Sequence, residues 1–374
     1  MSPKPMWSWF APRTLRPGAM VAMRAGGFVL LCLATKASAQ TFTLRTLPTF
    51  YGDNTEFFTP YRTGETILGA QVQSWLAVEP GPHTEFVAGA FADHRSGDST
   101  FLKSIKPILG FRYRSAHGLA AAGTLVTENR HDYLEPLEVT TLEFTRPIEY
   151  GLQWRQRRRV FDSELYINWQ GLNTPASREI FDYGLLLRGR PLQFLSLEFQ
   201  SHGLHHGGQL FQAGVPVSNN FASGPGFRIH HVFPYTDSTE FALFRLHSHG
   251  NIDPNAPAGR PSDGHGTWLR FGLRPGGWFD LFTIQWWGRD FLADEGDNNY
   301  NSVGANPTFY QSKRRYQEYG FIKNFRIDEV VRVGVEWRFH RIDNLPSIAI
   351  GHSRWEYSYR LVVRTPFDVR LGQR

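Results

Sequence analysis

The stretch VRVGVEWRFHR, residues 331–341, alternates apolar and polar side chains without a break. Val331, Val333, Val335, Trp337 and Phe339 fall on one face at a period of two; Arg332, Gly334, Glu336, Arg338 and His340 fall on the other. Successive side chains of a strand point to opposite sides, so this reads as a strand with one face in an apolar medium and the other in water. The apolar medium is either a protein core or a lipid bilayer.

The rest of the chain favours lipid. Met23 to Gln40, MRAGGFVLLCLATKASAQ, has a positive start, a short apolar stretch and Ala-Ser-Ala before Gln40, which is the layout of a secretory signal peptide. We expect residues 1–39 to be a leader, with 1–22 a misassigned upstream start, and 40–374 to form one domain. No segment reaches the roughly 20 apolar residues of a spanning helix. The leader holds Lys4, Arg13, Arg16, Arg24, Lys36 and Cys32 but no acid, so of 40 basic residues 35 remain against 34 acidic ones. A nearly neutral mature chain gives no reason to expect nucleic acid, and a chain without cysteine has no disulfides or thiolate metal sites.

Turn chemistry recurs at short intervals. Tight turns are expected at 79–82, 115–118, 158–159, 190–192, 234–238, 275–277 and 326–328, and longer polar segments near 51–64, 95–102, 129–146, 171–178, 204–218, 250–265, 290–315 and 342–353. Short and long connections alternate, as in bacterial barrels with short periplasmic turns and long external loops. The fold class expected is all-β: a transmembrane antiparallel up-and-down barrel of about 16 strands, with 14 as the alternative count and both chain ends in the periplasm. The first strand is placed at about 41–50 and the last at about 354–367. The same alternation recurs in Leu109, Phe111 and Tyr113 against Arg112 and Arg114, in Leu152 and Trp154 against Arg155 and Arg157, and in Trp355, Tyr357, Tyr359 and Leu361 against Glu356, Arg360 and Arg364.

On this layout the chain resembles bacterial outer-membrane porin-like β-barrels. EFFTPYRTGETILGAQ (56–71) and HHGGQL (205–210) are similar to a family of such barrels with no established activity. The resemblance implies an integral outer-membrane location, with membrane lipid, lipopolysaccharide and the barrel-assembly machinery as partners. Barrels of this kind commonly end on an aromatic residue; here the chain runs past Phe367 to Arg374.

Arg112, Arg114, Arg155, Arg157, Arg332, Glu336, Arg338, Glu356, Arg360 and Arg364 are expected to line a water-filled lumen. Rings of guanidinium bias a pore toward anions, whereas Arg–Glu pairs would merely brace the wall. The function expected is diffusion of small polar or anionic solutes. The alternatives are an exporter of acidic polysaccharide and a barrel plugged by its own loops, with residues 129–146 and 290–315 long enough to fold inward.

Eight histidines crowd residues 202–265, and His202, His205, His206, His247 and His249 are weak candidates for metal at an external rim; no cofactor is expected. The acidic run Asp294, Glu295, Asp297, Asn298, Asn299 reads as a solvated loop tip. No G-x-S-x-G motif stands out, and Ser248 points away from its flanking histidines, so no enzymatic activity is expected.

Overall fold

The computed structural model describes residues 40–127, 131–208, 210–211, 217–250, 262–277, 279–306, 309–343 and 354–373. The expected leader lies outside them, as do 251–261 and 344–353 of two long loops. The first strands are β1 (Thr41–Glu56), β2 (Glu65–Gly81), β3 (Thr84–Arg95), β4 (Ser104–Arg114), β5 (Gly118–Thr124), β6 (Tyr150–Arg157), β7 (Phe161–Gly171) and β8 (Glu179–Leu192). They continue as β9 (Leu195–Gly207), β10 (Ser218–His231), β11 (Thr236–Gly250), β12 (Asp263–Pro275), β13 (Asp280–Arg289), β14 (Lys313–Arg326), β15 (Arg332–Ile342), β16 (Trp355–Arg364) and β17 (Phe367–Gln373).

From β1 to β16 each strand pairs antiparallel with its sequence neighbour, and β1 pairs with β2 on one side and with β16 and β17 on the other. The sheet is a closed ring. β16 and β17 occupy one place in the wall, against the upper and lower halves of β1, so the ring has sixteen strands. Pro366 interrupts this last strand because it has no N–H to give the ladder. Thr365 N–H instead donates to the carbonyl of Pro48, the proline of the facing strand (3.1 Å). The pairing resumes beyond it, so Phe367 opens β17 instead of ending the wall.

The turns close where their residues allow it. Asp328 Oδ1 accepts from the N–H groups of Val330 and Val331 (2.9 and 2.7 Å), an Asx turn between β14 and β15. Those two N–H groups hold the Asp328 carboxyl below the usual aspartate range. Gly276 and Gly277 both adopt positive φ, 51° and 71°, in the β12–β13 turn, a conformation that costs glycine nothing. β1 runs six residues further than expected, through Glu56.

Alternation divides outside from inside. Leu109, Leu152, Leu165 and Leu361 point outward and are about half exposed (58, 61, 55 and 49%), among a belt that includes Trp154, Trp337, Tyr357 and Tyr359. Such a continuous apolar belt is far larger than a water-soluble surface ordinarily shows. The polar residues of the same strands, including Arg112, Arg155, Glu164, His340 and Glu356, are buried within the ring.

Candidate functional site: a plugged lumen above an arginine chamber

The inside of the ring differs from the expected open channel. Tyr61 from the β1–β2 connection, Leu134 and Leu137 from residues 125–149, and Phe291, Tyr300 and Phe309 from residues 290–312 pack against Phe244, Trp268, Trp286 and Tyr316 of the wall in one apolar cluster. These connections carry enough aromatic surface to gain more by burial inside the ring than by standing in water. They also hydrogen-bond to each other: Val139 N–H donates to the carbonyl of Glu295 (2.8 Å) and Asp297 N–H to that of Glu135 (2.9 Å). One helical turn, α1 (Leu142–Thr145), belongs to this plug, with Phe144 stacked on Tyr51 of β1 at 4.7 Å.

The run 294–299 is accordingly no solvated tip. Glu295, Asp297 and Asn299 are buried, because the loop that carries them turns into the lumen. Asp297 pairs with Arg62 at 2.5 Å.

Buried ion pairs tie plug to wall. His131 donates from Nε2 to Glu149 (2.8 Å) and from Nδ1 to Glu164 (2.6 Å), and stacks on Tyr166 at 3.8 Å. Burial disfavours its imidazolium, but the hydrogen bonds and charges of Glu149 and Glu164 prevail and raise it from 6.5 to about 9. His131 and Asp132 both sit at positive φ, 60° and 67°, so local strain is held by these tertiary contacts.

Most of the arginines expected in the lumen lie inside the ring and are paired. Arg155 bonds Glu164 (2.8 Å), Arg360 bonds Asp53 (2.6 Å), and Arg338 bonds Glu318 (2.7 Å), Glu336 and, from the plug, Glu135 (3.4 Å). Glu356 accepts from the N–H groups of Phe58 and Thr59, both at 2.8 Å, and so anchors the β1–β2 connection. Arg157 is exposed at the tight-turn end of β6.

Below the plug lies one chamber of about 760 Å³, in the half of the barrel that carries the tight turns. Its wall holds Arg45, Arg112, Arg114, Arg326, Arg332 and Arg364, and its roof is Phe144 with Leu125, Val126 and Pro147 of the plug. Glu85 lies among three of these guanidiniums, with Arg45 at 2.6 Å, Arg114 at 3.2 Å and Arg112 at 3.6 Å. Arg364 pairs with Glu143. Arg326, Arg332 and Arg364 stand side by side in the register of β14, β15 and β16. Like charges directly opposite repel, and among the described residues neither Arg326 nor Arg332 has an ion pair.

The candidate histidines do not gather. His202 points into the ring and is buried, contrary to a place on an external rim; His247 and His249 are exposed, with His249 paired to Asp263 (2.6 Å); His205 bonds Asn219 (2.5 Å). His206, like His202, has the inward parity of β9; among the described residues His202 is the one of these two that reaches acidic partners, Asp182 and Glu295. Ser248 is buried and its hydroxyl oxygen accepts from Leu292 N–H (3.0 Å), so it takes no part with its flanking histidines.

Sequence reasoning missed a different pair. Ser358 of β16 lies 2.8 Å from His340 Nε2 across the β15–β16 ladder. His340 Nδ1 lies 2.5 Å from the Tyr316 hydroxyl, which donates to Glu318 (2.8 Å). Since the one hydroxyl proton of Tyr316 goes to Glu318, its oxygen accepts from Nδ1–H, and Nε2 is left to accept from Ser358. The adjoining cavity, about 20 Å³, is lined by Arg62, Arg338 and Arg360.

Among solved structures the fold is similar to OmpT, an outer-membrane protein of Vibrio cholerae, at 8% identity over 88% of this chain and 100% of that one (TM-score 0.51). It is also similar to OccK11 (OpdR) of Pseudomonas aeruginosa, at 9% identity over 88% of this chain and 96% of that one (TM-score 0.52). No curated protein matches the chain. Residues 34–374 match the profile of a family described as Lipid A 3'-O-deacylase-type.

Proposed function

That match spans nearly the whole chain, which therefore belongs to the Lipid A 3'-O-deacylase-type family, and we propose that this member is a loop-gated porin-like barrel of the bacterial outer membrane. The outward apolar belt supports lipid contact. The tight-turn end, and with it both ends of the barrel domain, faces the periplasm. Small anionic solutes enter the arginine chamber from that side, and pass onward when the plug shifts. One observation carries this reading: six arginines line the chamber, and two of them, Arg326 and Arg332, are left unmatched beside a third. Guanidinium offers carboxylate or phosphate a fixed two-pronged donor, and an anion in this row relieves its repulsion.

The test is conductance in a planar bilayer. The intact barrel is expected to pass little current, and removal of 290–312 to open steps with anion preference. Replacing Arg326, Arg332 and Arg364 by Gln in the opened barrel should move its reversal potential toward zero. An opened barrel with no anion preference, or with preference unchanged by the three substitutions, defeats the proposal.

A second reading follows the family's name and rests on the Ser358–His340 contact. In it, His340 Nε2 takes the Ser358 proton as Oγ attacks an ester carbonyl. The alcohol leaves with that proton, and water then releases the fatty acid from the acyl-serine. The small cavity beside Ser358 suits one water and no acyl chain, so this route too requires plug movement. Cells expressing the protein should then show lipid A short of an acyl chain by mass spectrometry, and Ser358→Ala should restore it. An unaltered lipid A profile in cells with the folded barrel retires this route.

A further inference from the structure

At the contact between plug and wall, three buried side chains converge. Asp182 comes from β8, His202 from β9, and Glu295 from the plug segment 290–312; they are 1, 4 and 8% exposed. One ligand-competent atom of each residue lies within 4.8 Å of those of the other two. His202 Nε2 is 3.3 Å from Glu295 Oε2 and 3.6 Å from Asp182 Oδ2. None of these three atoms makes a hydrogen bond among the described residues. An orphaned buried polar atom is costly and uncommon, and three aimed at one point call for a shared partner.

The other oxygens of the same carboxylates are fully engaged. Asp182 Oδ1 accepts from Asn168 (2.7 Å) and Gln170 (2.6 Å). Glu295 Oε1 accepts from the same Gln170 amide nitrogen (2.8 Å) and lies 2.5 Å from Arg146. Gln170 thus clamps both carboxylates so that their free oxygens face His202. Such outer partners commonly orient the ligands of a metal.

We propose that Asp182, His202 and Glu295 bind a first-row divalent cation, for which zinc and manganese are the probes. One imidazole nitrogen and two carboxylate oxygens form a donor set common for these ions, and softer thiolate sites are out of reach of a mature chain with no cysteine. With bonds of about 2.0–2.1 Å, tetrahedral ligands stand about 3.3 Å apart, close to the two separations from His202 Nε2. Two carboxylates and a neutral imidazole carry two negative charges, which the cation balances. Because Glu295 belongs to the plug and the other two to the wall, the ion would lock the plug in place. The inference does not depend on what passes through the barrel or on any hydrolysis.

The experiment uses the full chain, folded in detergent, its folding checked by heat-dependent gel mobility. After chelation and dialysis, zinc and manganese are titrated by calorimetry, and cobalt(II) is added as an optical probe of nitrogen–oxygen ligation. One equivalent should bind, and binding should slow protease cleavage within 290–312. Asp182→Asn and His202→Gln should lower affinity more than about a hundredfold, and Gln170→Ala, which keeps all three ligands, by about 10–100-fold. If the ligand variants fail to fold, the cobalt spectrum of the unaltered chain decides. A chain that takes up neither metal and gives no cobalt absorption overturns the proposal, and then an imidazolium ion-paired to both acids fills the site. Equal affinity in folded Asp182→Asn overturns it as well.

Discussion

His131 bridges Glu149 and Glu164 from within the plug, and its charge is part of that bond. Its folded value of about 9 lies above the 6.5 of a free imidazole. The stabilisation is therefore fully present below pH 6.5 and is lost as pH rises through 9, on the order of 3 kcal/mol. Protease cleavage within 125–149 of the folded barrel should accelerate between pH 8 and 10, and His131→Gln should cleave fast at every pH. A cleavage rate flat across that range would remove the imidazolium from the account. Neither this contact nor Ser358–His340 was legible in the sequence. Glu149 and Glu164 lie 18 and 33 residues from His131, and Ser358 lies 18 from His340, and only barrel register brings them together. A lumen position could be read from parity for Arg338 or Glu356, but which acid meets which base depends on the stagger between strands.

At the level of elements, β17 has a role that period-two alternation does not reveal. Its residues pair with Thr41–Thr46, so the half of β1 nearest the tight turns has no other neighbour on that side. A chain shortened to end at Pro366 leaves that half of β1 as an open edge in the membrane, where unpaired N–H and C=O groups cost several kcal/mol together. It should lose most of its heat-resistant folded form on a gel, while replacement of Phe367 by Leu, which keeps the backbone pairing, should retain it. A truncated chain with full heat resistance would mean that β16 alone seals the ring. The other strands were readable because period two and turn chemistry are local: each expected tight turn joins the expected pair of strands. The loops were not. Polarity is common to a tip in water and to a plug among lumen charges, and so Glu295, Asp297 and Asn299 read as solvated although they are buried.

For the molecule as a whole, alternation told inside from outside and gave the sixteen-strand count, since both depend only on the order of residues along each strand. It could not tell whether the inside holds water. That depends on how much apolar surface the long connections bring back into the ring, and Phe291, Tyr300 and Phe309 look like ordinary loop aromatics until the cylinder that receives them is drawn. The packed interior has a calorimetric consequence. Trp268, Trp286 and their neighbours are hidden from water by protein, unlike the outer leucines, which a bilayer hides. Releasing the plug hydrates those rings, so its melting enthalpy must climb with temperature, in the manner of a water-soluble globule, even while the surrounding cylinder stays intact.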